Sequence, residues 1–96
     1  MDKQTLLQML VDWKCIVAPE FEDALLGISH CSTPKAVYDI DTIIAILIER
    51  DGMTQEDAIE HFDYNIAGSY VGKSTPVFVW YKDLDLDSIV NNNKKQ

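Results

Sequence analysis

Apolar positions recur with helical spacing in three stretches and as short continuous runs in three others. Leu6, Leu10, Trp13 and Val17 line one face of a helix over residues 3–17. Asp2 or Thr5 is its candidate N-cap, and Pro19 drives Ala18 out of helical geometry, so the helix stops before it. The run 24–29 reads as a strand. Residues 31–35 carry turn chemistry, and 36–38 read as a second strand antiparallel to the first. A second helix is predicted over 42–50, with Asp39 or Asp41 as cap. Ile43, Ile44, Leu47 and Ile48 form its main apolar face, widened by Ile40 and Ile46. The β-branched residues there compete with helix, but the cap and the length favour it. Gly52 suits the left-handed position that closes a helix.

Thr54 opens a third helix, with Asp57 in the place of a capping-box acid. Ala58, Ile59, Phe62 and Ile66 face inward, and the helix is expected to end near residues 67–68. Residues 75–81 form the clearest strand, with Pro76 tolerated as its first residue. Its two faces, Val77, Val79 and Tyr81 against Phe78 and Trp80, are both apolar. One face is expected to cover the helical core. The other either lies under the first helix or forms an interface. Residues 87–90 read as a last short turn of helix. The prediction is an α+β fold in the order α-β-β-α-α-β, with a small, mainly antiparallel three-stranded sheet covered by about three helices.

Ninety-six residues support one compact domain, assigned to residues 1–90, and the polar tail 91–96 is expected to be disordered. The net charge of −8 repels nucleic acid and anionic membranes. It favours a protein partner with a basic surface. Met1-Asp2-Lys3-Gln4 has no signal-peptide pattern, and the longest apolar run, 43–48, is too short to span a bilayer. A cytoplasmic location is expected, with Cys15 and Cys31 as free thiols.

The segment 67–75, AGSYVGKST, imitates a phosphate-binding loop through Gly72, Lys73 and Ser74. Such a loop must follow a strand and open a helix, whose N-terminus then faces the phosphates. Here a predicted helix precedes and a strand follows, so a nucleotide-hydrolysing role is rejected. The structural reading has Gly68 ending a helix, Gly72 permitting a reversal, and Thr75 bonding to backbone before Pro76.

The spacing Asp51-Gly52-Met53, Glu56, Ala58, Phe62-x-x-Asn65-x-x-Gly68-x-Tyr70-x-Gly72-x-x-Thr75-Pro76, preceded by Ala36-Val37-Tyr38-Asp39, resembles a small uncharacterised family of bacteria and their phages. The resemblance spans roughly residues 24–80. It implies origin rather than activity. Lys73 departs from the family pattern, in which that slot is often acidic.

Asn65, Gly68, Tyr70, Gly72 and Thr75 are the candidate binding loop, and Glu56, Asp57, Glu60 and Asp63 a candidate acidic interaction face. Tyr70, Trp80 and Tyr81 are candidate aromatic anchors. Cys15, His30, Cys31 and His61 fit no zinc spacing. Residues 83–87 imitate a calcium loop but lack its glycine and its terminal glutamate. No metal and no cofactor is expected. Catalysis would need Asn65, Ser69, Tyr70 and Thr75 to converge, with His30 and Tyr38 approaching from the hairpin, and no nucleophile motif is recognisable. The expected function is protein binding, with modulation of a host factor by a phage protein as one version. The alternatives are a small-ligand binder or enzyme using loop 65–75, and a homo-oligomer closed over Phe78 and Trp80.

Overall fold

The computed structural model describes residues 1–69 and 72–81. Helix α1 spans Lys3–Asp12. The Asp2 carboxylate accepts the Thr5 backbone N–H at 2.8 Å, and that bond holds its pKa below the usual carboxylate value. The helix ends five residues earlier than its apolar spacing predicts. The cause is Lys14, which takes a left-handed φ of 56°. The Lys14 N–H then reaches the Val11 carbonyl and the Cys15 N–H the Leu10 carbonyl, the paired bonds of a Schellman stop. Trp13 is consequently half exposed rather than part of the core face.

Residues 15–18 have no regular secondary structure, and Ala18 is extended ahead of Pro19 as expected. Pro19–Ala24 forms a 3-10 segment that the residue pattern does not signal. It buries Phe21 and Ala24. Strand β1, Leu25–Ile28, pairs antiparallel with β2, Ala36–Asp39, through a bulge between Leu25 and Gly27.

Helix α2 covers Ile40–Asp51. The buried Asp39 caps it twice: Oδ1 accepts the Asp41 N–H at 3.2 Å and Oδ2 accepts the Thr42 hydroxyl. Ile40, Ile43, Ile44 and Leu47 face the core, while Ile48 lies at the rim. Gly52 closes the helix at φ 70°, a conformation that costs glycine little. Helix α3, Gln55–His61, starts at Thr54, whose hydroxyl accepts the Asp57 N–H at 3.1 Å. It continues into a π turn over Phe62–Ile66, closed by Ala67 N–H to the Phe62 carbonyl at 2.8 Å. An α-helix rotates about 40° over each four residues. The wider π turn offsets that drift, so Ala58, Phe62 and Ile66 all stay buried.

Strand β3, Val77–Val79, lies parallel to β2, and the sheet order is β1-β2-β3. The fold is therefore α+β in the predicted element order, with a mixed sheet rather than a mainly antiparallel one. The two intervening helices supply the long crossover that parallel pairing requires. Phe78 sits beside Tyr38 on β2, with ring centroids 6.0 Å apart, and meets Phe62 edge-on at 5.2 Å. One face of β3 thus joins the helical core as expected. Among the described residues no helix is long and apolar enough to cross a membrane. The predicted turn at 87–90 and the tail 91–96 lie outside the described residues.

Tyr38 is 1% exposed, and its hydroxyl oxygen accepts the buried Ala18 N–H at 2.8 Å. Tyr38→Phe is expected to lower unfolding free energy by about 1–3 kcal/mol, the cost of stranding a buried donor, as measured by urea denaturation. Lys14→Gly should act in the opposite direction. Left-handed geometry costs an L-residue about 1–2 kcal/mol, and glycine gives back part of this through chain entropy. The expected gain is about 0.5–1 kcal/mol, read as a higher urea midpoint with an unchanged slope.

Candidate functional site

The chain from the π turn to β3 contains the predicted binding loop. Asn65 is exposed, and its Nδ2 lies 3.3 Å from His61 Nδ1 one turn earlier. The Ser69 hydroxyl donates to the Asn65 carbonyl, and the Ser69 N–H to that of Ile66 at 3.1 Å. Gly68 has ordinary backbone geometry, and a Cβ there would meet the Tyr64 carbonyl only at 3.7 Å. Its place in the pattern therefore has no steric requirement behind it. Gly72 does need to be glycine-like, at φ 108°. Its carbonyl accepts both the Thr75 hydroxyl at 2.8 Å and the Thr75 N–H at 3.4 Å. This is the backbone bond expected of Thr75 before Pro76.

These bonds form two local turns rather than one converging set. Tyr38 is buried in the core, where its hydroxyl oxygen accepts the Ala18 N–H, and His30 is exposed on the hairpin. Tyr70 lies outside the described residues. After Thr75 the chain enters β3, so a strand stands where a phosphate loop would need a helix N-terminus.

Glu56, Asp57, Glu60 and Asp63 are all exposed along α3 and the π turn. Among the described residues none of the four joins an ion pair; the paired acids are Glu22, Asp23 and Asp51. Tyr64, next to Asp63, is 81% exposed. Sequence reasoning passed over it, although its position off the apolar face of 58, 59, 62 and 66 marks it as outward. Trp80 and Tyr81 are also exposed, at 67% and 49%.

Arg50 serves structure. It holds both carboxylate oxygens of Asp51, at 3.1 and 3.3 Å, donates to the Glu20 carbonyl at 3.1 Å, and lies 5.4 Å from the centre of the Phe21 ring. The Arg50 guanidinium holds the Asp51 carboxyl below its usual range. The pair's contribution is thus present above the ordinary carboxylate pKa and is lost as pH falls through the lowered one.

Cys15, His30, Cys31 and His61 do not gather, and no metal-holding group of three or more His, Cys, Asp or Glu side chains occurs among the described residues. The calcium-like stretch 83–87 lies outside them. The two thiols are free and differ in setting. Cys15 is half-buried, its Sγ donates to the Pro34 carbonyl at 3.4 Å, and burial pushes its pKa up. Cys31 is exposed on the hairpin loop.

Two adjoining cavities of about 330 and 350 Å3 lie between α1 and β1, and neither is lined by residues 65–75. No family model, curated protein or solved structure matches the chain. The resemblance to a bacterial and phage family therefore rests on residue spacing alone.

Iodoacetamide at neutral pH is expected to modify Cys31 well before Cys15, because the raised pKa and burial of Cys15 suppress its thiolate. Time-resolved peptide mass spectrometry checks this; equal rates at the two sites would contradict the burial of Cys15.

Proposed function

We propose that the chain is a small protein-binding module that recognises a basic surface on its partner. The observation that carries this reading is the row of four exposed carboxylates on α3 and the π turn, unpaired among the described residues. A ridge of uncompensated negative charge speeds encounter with a positive patch and disfavours acidic competitors. Tyr64 at the end of the ridge offers a large side chain that can anchor the contact once the charges have aligned it. An origin in a bacterium or a phage, and modulation of a host factor, belong to the same proposal. Their support is the spacing from Asp51 to Pro76.

A homo-oligomer is the second reading, favoured by Trp80 standing 67% exposed just beyond β3 at the sheet edge. In that case Trp80 would be covered at high protein concentration and the carboxylates would be dispensable. Pull-down from a bacterial lysate separates the two. The Glu56→Lys, Glu60→Lys double variant is expected to lose the partners that the parent protein captures. Captured partners should also elute as salt is raised, since exposed charges are screened over about 10 Å at moderate ionic strength. Equal recovery by both proteins removes the support for the acidic ridge.

A further inference from the structure

The groove between α1 and β1 is used by none of the roles above. Its two adjoining cavities share Met1, Leu6 and Leu26. The first is walled by Asp2, Glu22 and Asp23 together with Lys3, near Leu25 at the start of β1. Lys3 Nζ sits 3.1 Å from Glu22 and 3.2 Å from Asp23, so these two carboxylates share one ammonium, and with Asp2, whose carboxylate caps α1 through the Thr5 N–H, acidic side chains outnumber the single lysine at that end. The second cavity is lined by Met9, Trp13 and Ile28 and closes at His30. The groove thus runs along β1 from an acidic end to an apolar one. Trp13 and Leu26 stand 50% and 40% exposed on it.

Strand β1 is also the edge of the sheet, and its outer side has no strand neighbour among the described residues. Backbone N–H and C=O groups on such an edge can pair with an added strand. Three separate properties therefore coincide: a strand edge with no strand neighbour among the described residues, an apolar floor and a negative terminus. One ligand chemistry satisfies all three. We propose that the groove takes an extended peptide segment of a partner protein, added to β1 as an antiparallel strand. Its alternate apolar side chains lie against Leu26, Met9 and Trp13, and a lysine or arginine at its C-terminal end sits beside Asp2, Glu22 and Asp23. The direction follows from the groove: β1 begins at the acidic end, so an antiparallel strand finishes there. In strand addition the main-chain bonds give affinity, and pockets for alternate side chains give specificity. This surface involves different elements from the α3 ridge and stands or falls separately from it.

The test uses the peptide acetyl-Thr-Leu-Thr-Val-Thr-Lys-amide and its Glu-ended counterpart, titrated to millimolar concentration into the Trp80→Phe protein, in which Trp13 is the sole tryptophan. The lysine peptide is expected to shift Trp13 emission to the blue and to slow amide exchange across residues 25–28. It should bind about tenfold more tightly than the glutamate peptide, the order expected of a few exposed charge pairs. Glu22→Gln with Asp23→Asn leaves Asp2 and Lys3 in balance; it should bring the two peptides to equal affinity while keeping the blue shift. Leu26→Asp should abolish both responses, with circular dichroism confirming the fold. Three results would overturn the proposal: no Trp13 response to the lysine peptide, equal affinity of the two peptides for the parent groove, or protection of residues 25–28 by self-association without peptide.

Discussion

The placement of α1 depends on how the non-helical residues 15–18 are tied down. Three groups in this segment bond to three different parts of the fold. The Cys15 thiol reaches the Pro34 carbonyl in the hairpin loop, the Ile16 N–H the Ser74 carbonyl ahead of β3, and the Ala18 N–H the Tyr38 hydroxyl on the central strand. The last of these is buried, where an unpaired amide is most costly. A helix continued to Val17 would have consumed these amides within itself. The left-handed turn at Lys14 releases them, so the energetic cost of that turn is coupled to the bonds it makes possible.

The same early stop shapes the surface. Leu10 still enters the core at 0% exposure, but Trp13, one turn on, is left beside β1 instead of beneath α1. With Met9 and Leu26 it becomes the wall of an open groove. The bulge between Leu25 and Gly27 contributes as well, since a bulged strand offers side chains in directions that regular pairing would not. The left-handed turn at Lys14 and the bulge in β1 thus shape packing and groove together.

What could be read from the chain was whatever had a local cause. Asp39, Gly52 and Thr54 act where their chemistry places them, because a cap or a left-handed stop is decided within four residues. The bond from Thr75 to Gly72 is equally local. Lys14 was not legible, because positive φ is ordinarily the signature of glycine or asparagine and nothing in a lysine announces it. The parallel pairing of β3 was hidden for another reason: strand direction is settled by the whole crossover, not by the residues of the strand. The exposure of Glu56, Asp57, Glu60 and Asp63 was legible because it follows from helical periodicity. The groove was not, since Trp13 fits the apolar spacing of α1 and only the helix's early end turns it outward.

Charge divides the molecule in a way that bears on both surfaces. On α3 the four carboxylates have no cation near enough to pair among the described residues, whereas Glu22 and Asp23 at the groove share Lys3. A cation approaching the ridge meets charge that is already solvated and unshared, which favours long-range attraction over a fixed geometry. At the groove the same cation must compete with Lys3 for oxygens held close to an apolar floor, which favours a ligand whose remaining chain also finds contacts there. If both proposals hold, the ridge would serve encounter and the groove discrimination, and a single partner would use both only by presenting two separated basic elements, one of them extended.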